Sequence, residues 1–252
     1  MTKTLLSLAL AAAAAMPAHA DLISAGDLTF TSFNADEDGF AMVALAAIAP
    51  NTKVYFTDNE WSGSAFNTGE SYSSWLSGAT TIAAGTVIRF SKVDSATLLA
   101  ASVGTFSRET VANSANWGIS TSEDTIYAYL GTSATAPTLF LSAITTGTFG
   151  TSTAGSLANT GLSVGAGAIK LSTGSDYAEY NGARAGQASF AGYKPLVSNV
   201  ANWNDLGTSA DGTNLVPNTT AFAVNAVPEP QTYALMLCGL VATGFMARRR
   251  RS

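Results

Sequence analysis

The two ends of this chain leave only its middle free to fold as a water-exposed body. Lys3 supplies a short positive segment, residues 5–16 are apolar and Ala-rich, and Ala18-His19-Ala20 fits the small-x-small rule of a secretory cleavage site. This pattern predicts a signal peptide over residues 1–20, with cleavage set by Ala18 and Ala20 and a mature start at Asp21. An apolar run of about twelve residues is short for a membrane span. At the other end Val227-Pro228-Glu229-Pro230 is followed by Gln231 and Thr232, by the apolar residues 233–247, and by Arg248, Arg249, Arg250, Arg251 and Ser252. Two prolines around a glutamate make a stiff extended segment that cannot enter a helix. Residues 233–247 carry no charge. At about 1.5 Å per residue they predict one short transmembrane helix, assisted by Gln231, Thr232 and snorkelling arginines. Four consecutive arginines place the C-terminus in the cytoplasm by the positive-inside rule. The body is then residues 21–226, held outside the membrane in the precursor.

That body is about 206 residues, the size of one all-β domain with a sizeable core. It carries seven Lys/Arg against sixteen Asp/Glu, a net charge of −9, which argues against tracking a phosphate backbone and so against nucleic-acid binding. His19 and Cys238 are the only residues of their types, and both lie outside the body. Ser-His-Asp and Cys-His triads, Cys/His zinc sites, haem attachment and disulfides within the body are therefore excluded. Cys238, inside the expected span, reads as a small apolar residue.

Ser and Thr supply 52 of the body residues, and Gly is frequent. Thr suits strands, while Ser and Gly mark turns. Strand-length apolar runs fall at 28–33, 40–48, 53–57, 86–91, 125–130, 138–144, 168–172, 177–180 and 221–224. Alternation sets Leu28, Phe30 and Ser32 on one face, and Val54 and Phe56 opposite Lys53, Tyr55 and Thr57. The fold expected is all-β, an antiparallel β-sandwich or jelly-roll-like body. Its core should include Phe30, Val43, Leu45, Val54, Phe56, Ile88, Phe90, Ile126, Leu139, Leu141 and Ile169. Short helices are expected at 95–103 and 197–205, and a long Gly/Ser/Thr/Ala loop or flexible edge at 147–167.

Three constellations carry possible chemistry. Asp36, Glu37 and Asp38 precede Gly39, and alternate hard oxygen ligands beside a turn glycine suggest a calcium site at Asp36 and Asp38, aided by Asp58. A solvated hairpin turn is the plainer reading. Trp61, Trp75, Trp117 and Trp203 with Tyr72 could stack on sugar rings if exposed, although aromatics of this number also fill sandwich cores. Glu60, Glu70, Glu123 and Glu179 could supply a hydrolytic carboxylate pair, but no spacing selects one.

The arrangement of Pro228-Glu229-Pro230, short span and terminal arginine cluster resembles the PEP-CTERM protein-sorting signal of Gram-negative bacteria that make exopolysaccharide. The resemblance covers residues 227–252. It implies recognition by an exosortase, a membrane-embedded protease/transpeptidase that cuts near Pro228-Glu229-Pro230 and passes the body to the cell surface or matrix. A second resemblance covers Gly26-Asp27-Leu28-Thr29-Phe30, Phe33-Asn34-Ala35-Asp36, Asp38-Gly39-Phe40 and Val54-Tyr55-Phe56-Thr57-Asp58-Asn59-Glu60-Trp61. These residues are similar to the start of a β-rich, lamin-tail-like module of secreted bacterial surface proteins, which implies a fold and no activity. Together these readings give an exported, surface-sorted, non-enzymatic protein, a structural component of extracellular polysaccharide or biofilm. The alternatives are a carbohydrate-binding adhesin and a secreted hydrolase with a carboxylate pair.

Overall fold

A computed structural model describes residues 21–209, 211–225 and 237–240. The signal peptide, Pro228, Glu229, Pro230, Arg248 to Arg251 and most of the expected span lie outside the described residues. Among the described residues no helix is long and apolar enough to cross a membrane. The chain runs through β1 (Leu28–Asn34), β2 (Gly39–Ala44), β3 (Lys53–Thr57), β4 (Tyr72–Leu76), β5 (Val87–Ser91) and β6 (Ala100–Ala101). It continues through β7 (Thr105–Arg108), β8 (Thr125–Ser133), β9 (Ala136–Thr145), β10 (Ser163–Val164), β11 (Gly167–Lys170) and β12 (Tyr177–Tyr180). A single turn of helix α1 (Lys194–Val197), flanked by 3-10 turns at Phe190–Tyr193 and Val200–Asn202, precedes β13 (Trp203–Asp205).

These strands form two sheets, in the orders β13-β12-β1-β2-β5-β6 and β10-β11-β9-β8-β3-β4-β7. All pairings are antiparallel except β10 with β11 and β11 with β9. Cross-strand register places Phe33 beside Phe40 and Phe40 beside Phe90 in the first sheet, and Val54 beside Trp75 and Trp75 beside Phe106 in the second. These rows face each other. The Phe40 ring lies 4.9 Å from Phe90 and 5.3 Å from Phe56, and Phe106 lies 5.1 Å from Phe90. Tilted and edge-to-face rings at such separations add to the burial of their large apolar area. The body is thus the all-β sandwich expected. Of the expected core, only Leu139 is left partly exposed, and it still packs against the rest.

A second core lies on the other side of the seven-stranded sheet. Tyr55, Tyr127, Tyr129 and Phe140 point away from the sandwich interior and are covered by Trp61, Phe66, Leu157 and Leu162. Residues 147–167, expected as a loose loop, are therefore a packed cover: Ala154 is fully buried, and Thr125 Oγ1 donates to its carbonyl at 2.7 Å.

Several local expectations change for identifiable reasons. A β-bulge between Phe30 and Ser32 shifts the face of β1, so Phe33 rather than Ser32 continues the core row. Residues 95–103 do not form a helix. After one helical bond from Leu99 N to Ser95 O, the chain turns back to pair Ala101 with Phe90. The helix expected at 197–205 starts earlier, with Pro195 in its first turn, and gives way to β13. Residues 221–224 hold only an isolated parallel bridge, Gln187 to Val224.

Candidate functional site

Sheet order brings the end of β3, the start of β4 and the start of β8 to one end of the seven-stranded sheet, since Thr57 pairs with both Tyr72 and Tyr127. Asp58, Glu70 and Asp124 sit just beyond those strand ends. Ser71 donates to Asp58 Oδ1 through its amide at 2.9 Å and its hydroxyl at 2.8 Å. Thr57 Oγ1 and Asn59 Nδ2 both donate to the Ser71 carbonyl, which fixes the turn between the strands. Asp124 takes amide hydrogen bonds from Ser120 and Thr125, each at 2.7 Å.

Removing carboxylates from water penalises their charged form, and like charges nearby add to the penalty. Burial, then Asp124 and Glu70, hold the Asp58 carboxyl well above the usual range. Burial raises Asp124 too, against the opposing amides of Ser120 and Thr125. Burial, then Asp124 and Glu60, push Glu70 up to about 7. A water-sized cavity of about 20 Å³ lies beside Asp58, between Thr57, Ser71, Ser73, Trp117 and Ile119.

Glu60 faces a larger groove of about 400 Å³, lined also by Trp61, Ser62, Asn67, Thr151, Ser152 and Ser156. Asn67 grips Glu60 twice: its amide nitrogen donates to the carboxylate, and its Oδ1 accepts from the Glu60 main-chain N–H at 2.8 Å. The groove wall needs Gly155, at φ +63°, where a Cβ would stand 2.5 Å from Tyr127 Oη and 2.8 Å from Trp61 N. A smaller polar pocket of about 150 Å³ lies between Glu179, Tyr180, Asn181, Asn204 and Asn218.

Of the hydrolytic candidates, Glu60 and Glu70 lie close enough for Glu60 to raise Glu70 by repulsion. Glu179 is elsewhere, engaged by Tyr177 Oη and Asn218 N. Asp124 escaped the sequence reading, because positions 58, 70 and 124 share no spacing and only topology gathers them. The aromatic candidates make no exposed row. Trp61, Trp75, Trp203 and Tyr72 are buried, and the three indole nitrogens donate to the carbonyls of Ala158, Val103 and Val197. Trp117 packs 4.2 Å from the Arg108 guanidinium.

The calcium candidates serve three different loops. Asp36 accepts from Gly212 N at 2.6 Å, Asp38 from Ile119 N at 2.6 Å, and Asp58 from Ser71. Among the described residues no group of three or more His, Cys, Asp or Glu is placed to hold a metal ion.

The chain's C-terminal stretch crosses the body as a strap. Asn34 Nδ2 donates to the carbonyls of Gly212 and Leu215, and Arg184 Nη1 donates to Thr220 O at 3.0 Å. Phe222 is buried, stacked 5.7 Å from Tyr180 and edge-on to Tyr193 at 5.0 Å. Amide hydrogen bonds then fix Phe222 to Gly85, Ala223 to Arg184 and Asn225 to Gln187.

No curated protein and no solved structure matches the chain. The lamin-tail-like resemblance of residues 26–61 therefore remains an expectation. Residues 226–251 do match a family model, the PEP-CTERM protein-sorting motif, immediately after the docked strap. The chain is thus an exported protein whose C-terminal signal marks it for exosortase, anchored transiently in the membrane before processing for the cell surface.

Proposed function

We propose that the sorted body is a non-enzymatic structural component of an extracellular polysaccharide or biofilm matrix, and that it meets polysaccharide at the Glu60–Ser156 groove. The carrying observation is that groove, about 400 Å³ and lined by hydroxyls, an amide and a carboxylate already gripped by Asn67. Its size suits a sugar unit, and its mixed lining of hydroxyls, a carboxylate and Trp61 suits a ligand with polar and apolar faces. Protein recovered from the cell surface should be retarded by the polysaccharide of the producing cell in affinity electrophoresis. Ser152→Arg, which fills the groove from an exposed position, should abolish the retardation. Equal retardation of both proteins, or none of either, would defeat the proposal.

One observation favours a hydrolase instead: burial, with repulsion from Asp124 and Glu60, pushes Glu70 up to about 7. Polysaccharide cleavage that disappears in Glu70→Gln would establish that reading. A calcium ion at Asp36 and Asp38, aided by Asp58, is a separate reading: burial raises Asp38, and repulsion from Asp94 and Asp36 adds to it against the Ile119 amide and Lys92. A melting midpoint that is the same in calcium and in chelator would exclude it.

A further inference from the structure

Taking the chain as an exosortase substrate, we infer that the folded body itself forms part of what the exosortase must dock against, through the surface around Asn225. The strap is fixed to its last described body residue, with Asn225 N donating to Gln187 O at 2.9 Å and Asn225 Nδ2 to Gly186 O at 3.2 Å. Even fully extended, three residues carry the chain about 11 Å to Pro228, and five carry it about 18 Å to Pro230. A protease closing around that triplet is several tens of ångströms across, as any folded domain of its kind is. Its active-site rim therefore cannot avoid the surface from which the tail emerges.

That surface is suited to close approach. It is built from the turn at Ala83 and Gly85 and from residues 183–192, whose main chain receives the strap. Ala185, Ala188 and Ala191 are exposed there. The body is strongly acidic, yet residues 181–204 contain Arg184 and Lys194 and no Asp or Glu, and these two cations are paired with Glu179 and Asp27. With its cations paired, such a face is close to neutral, and a neutral rim can meet it without repulsion. The competing route is to peel the strap off, but this would expose Phe222 and break its contacts with Tyr180 and Tyr193.

The test uses the full chain in cells that make the exosortase, with intact mass reporting the fraction processed. Ala185→Glu with Ala188→Glu adds two charges beside the strap at exposed positions. It should leave the melting midpoint unchanged and cause precursor to accumulate several-fold. Inserting about a dozen Gly/Ser residues after Ala226 adds a flexible spacer of about 20 Å. The spacer should restore normal processing of the Glu variant, because the enzyme can then stand clear of the face. A Glu variant processed as fast as the parent overturns the inference, and so does one that the spacer fails to rescue. Phe222→Ala would speed processing of the parent chain if peeling were the route, and that result also overturns it. A parent chain that is never cut would instead defeat the exosortase reading.

Discussion

At the scale of single residues, two sets of acids respond to pH in opposite directions. Asp58, Glu70 and Asp124 have folded pKa values raised first by burial. The stability they contribute is complete below their unfolded values, near 4. It is lost as pH rises through the folded ones, about 7 for Glu70. In Asp27, burial is outweighed by the Lys194 ammonium at 2.6 Å and by the Ile23 and Ser24 amides. In Asp205, it is outweighed by Ser175, Ser172 and Gly207. These lowered groups stabilise above their unfolded values and lose that stabilisation as pH falls through the folded ones. The melting midpoint of the processed protein should therefore rise as pH is lowered from 8 to about 5, and fall again below about 4. Glu70→Gln should flatten the upper limb. A midpoint that falls steadily from pH 8 downward would contradict the assignment. Nothing in the sequence marks these acids as a group, since their meeting depends on which strands become neighbours. The clamp on Asp58 was equally hidden, because Ser71 lies in a serine-rich stretch that reads as an ordinary turn.

At the scale of elements, strands with large apolar residues were legible and strands built from small polar ones were not. β3 and β5 read directly from Val54, Phe56, Ile88 and Phe90. β4 did not, because Tyr72-Ser73-Ser74-Trp75-Leu76 carries turn-favouring serines at its centre. Its Ser73 and Ser74 are nevertheless buried, and Ser74 Oγ donates to Glu109 Oε1 at 2.5 Å. Residues 147–167 misled for a related reason. Their small residues signal flexibility, yet that smallness lets the segment lie against Tyr127, Trp61 and Phe140. Gly155→Ala should destabilise the body by about 1–3 kcal/mol, through strain at positive φ and a clash with Tyr127 Oη. Faster amide exchange at Tyr127 and Tyr129, with the Phe40–Phe90 strands unaffected, would locate the damage in the second core. Phe56→Ala, in the main core between the sheets, should cost about 3–5 kcal/mol by leaving a cavity among Phe40, Phe90 and Phe106. Chemical denaturation reads that loss, and a cost below about 1 kcal/mol would mean that the facing sheets close over the gap.

At the scale of the whole molecule, the address was far easier to read than the cargo. Sorting signals act through crude, local properties such as charge, apolar length and rigid prolines, and these survive in a linear string. The work of the body depends on grooves and clusters that exist only after two sheets have packed. The ends also make the most direct statement about the finished protein. If export and sorting both occur, the precursor loses residues 1–20 at Ala20, and a cut near Pro228-Glu229-Pro230 removes residues 233–247 with Arg248, Arg249, Arg250 and Arg251. The surface form should then begin at Asp21 and carry a more negative net charge than the precursor, because the lost segments include five of the chain's twelve Lys/Arg. Replacing the four arginines by Ser removes the charge that orients the tail, so unprocessed precursor should accumulate in the membrane fraction. Intact mass of protein extracted from the cell surface reads both cuts at once, along with any group added at the new C-terminus. A surface form that still ends at Ser252 would show that the tail holds this protein as a plain anchor.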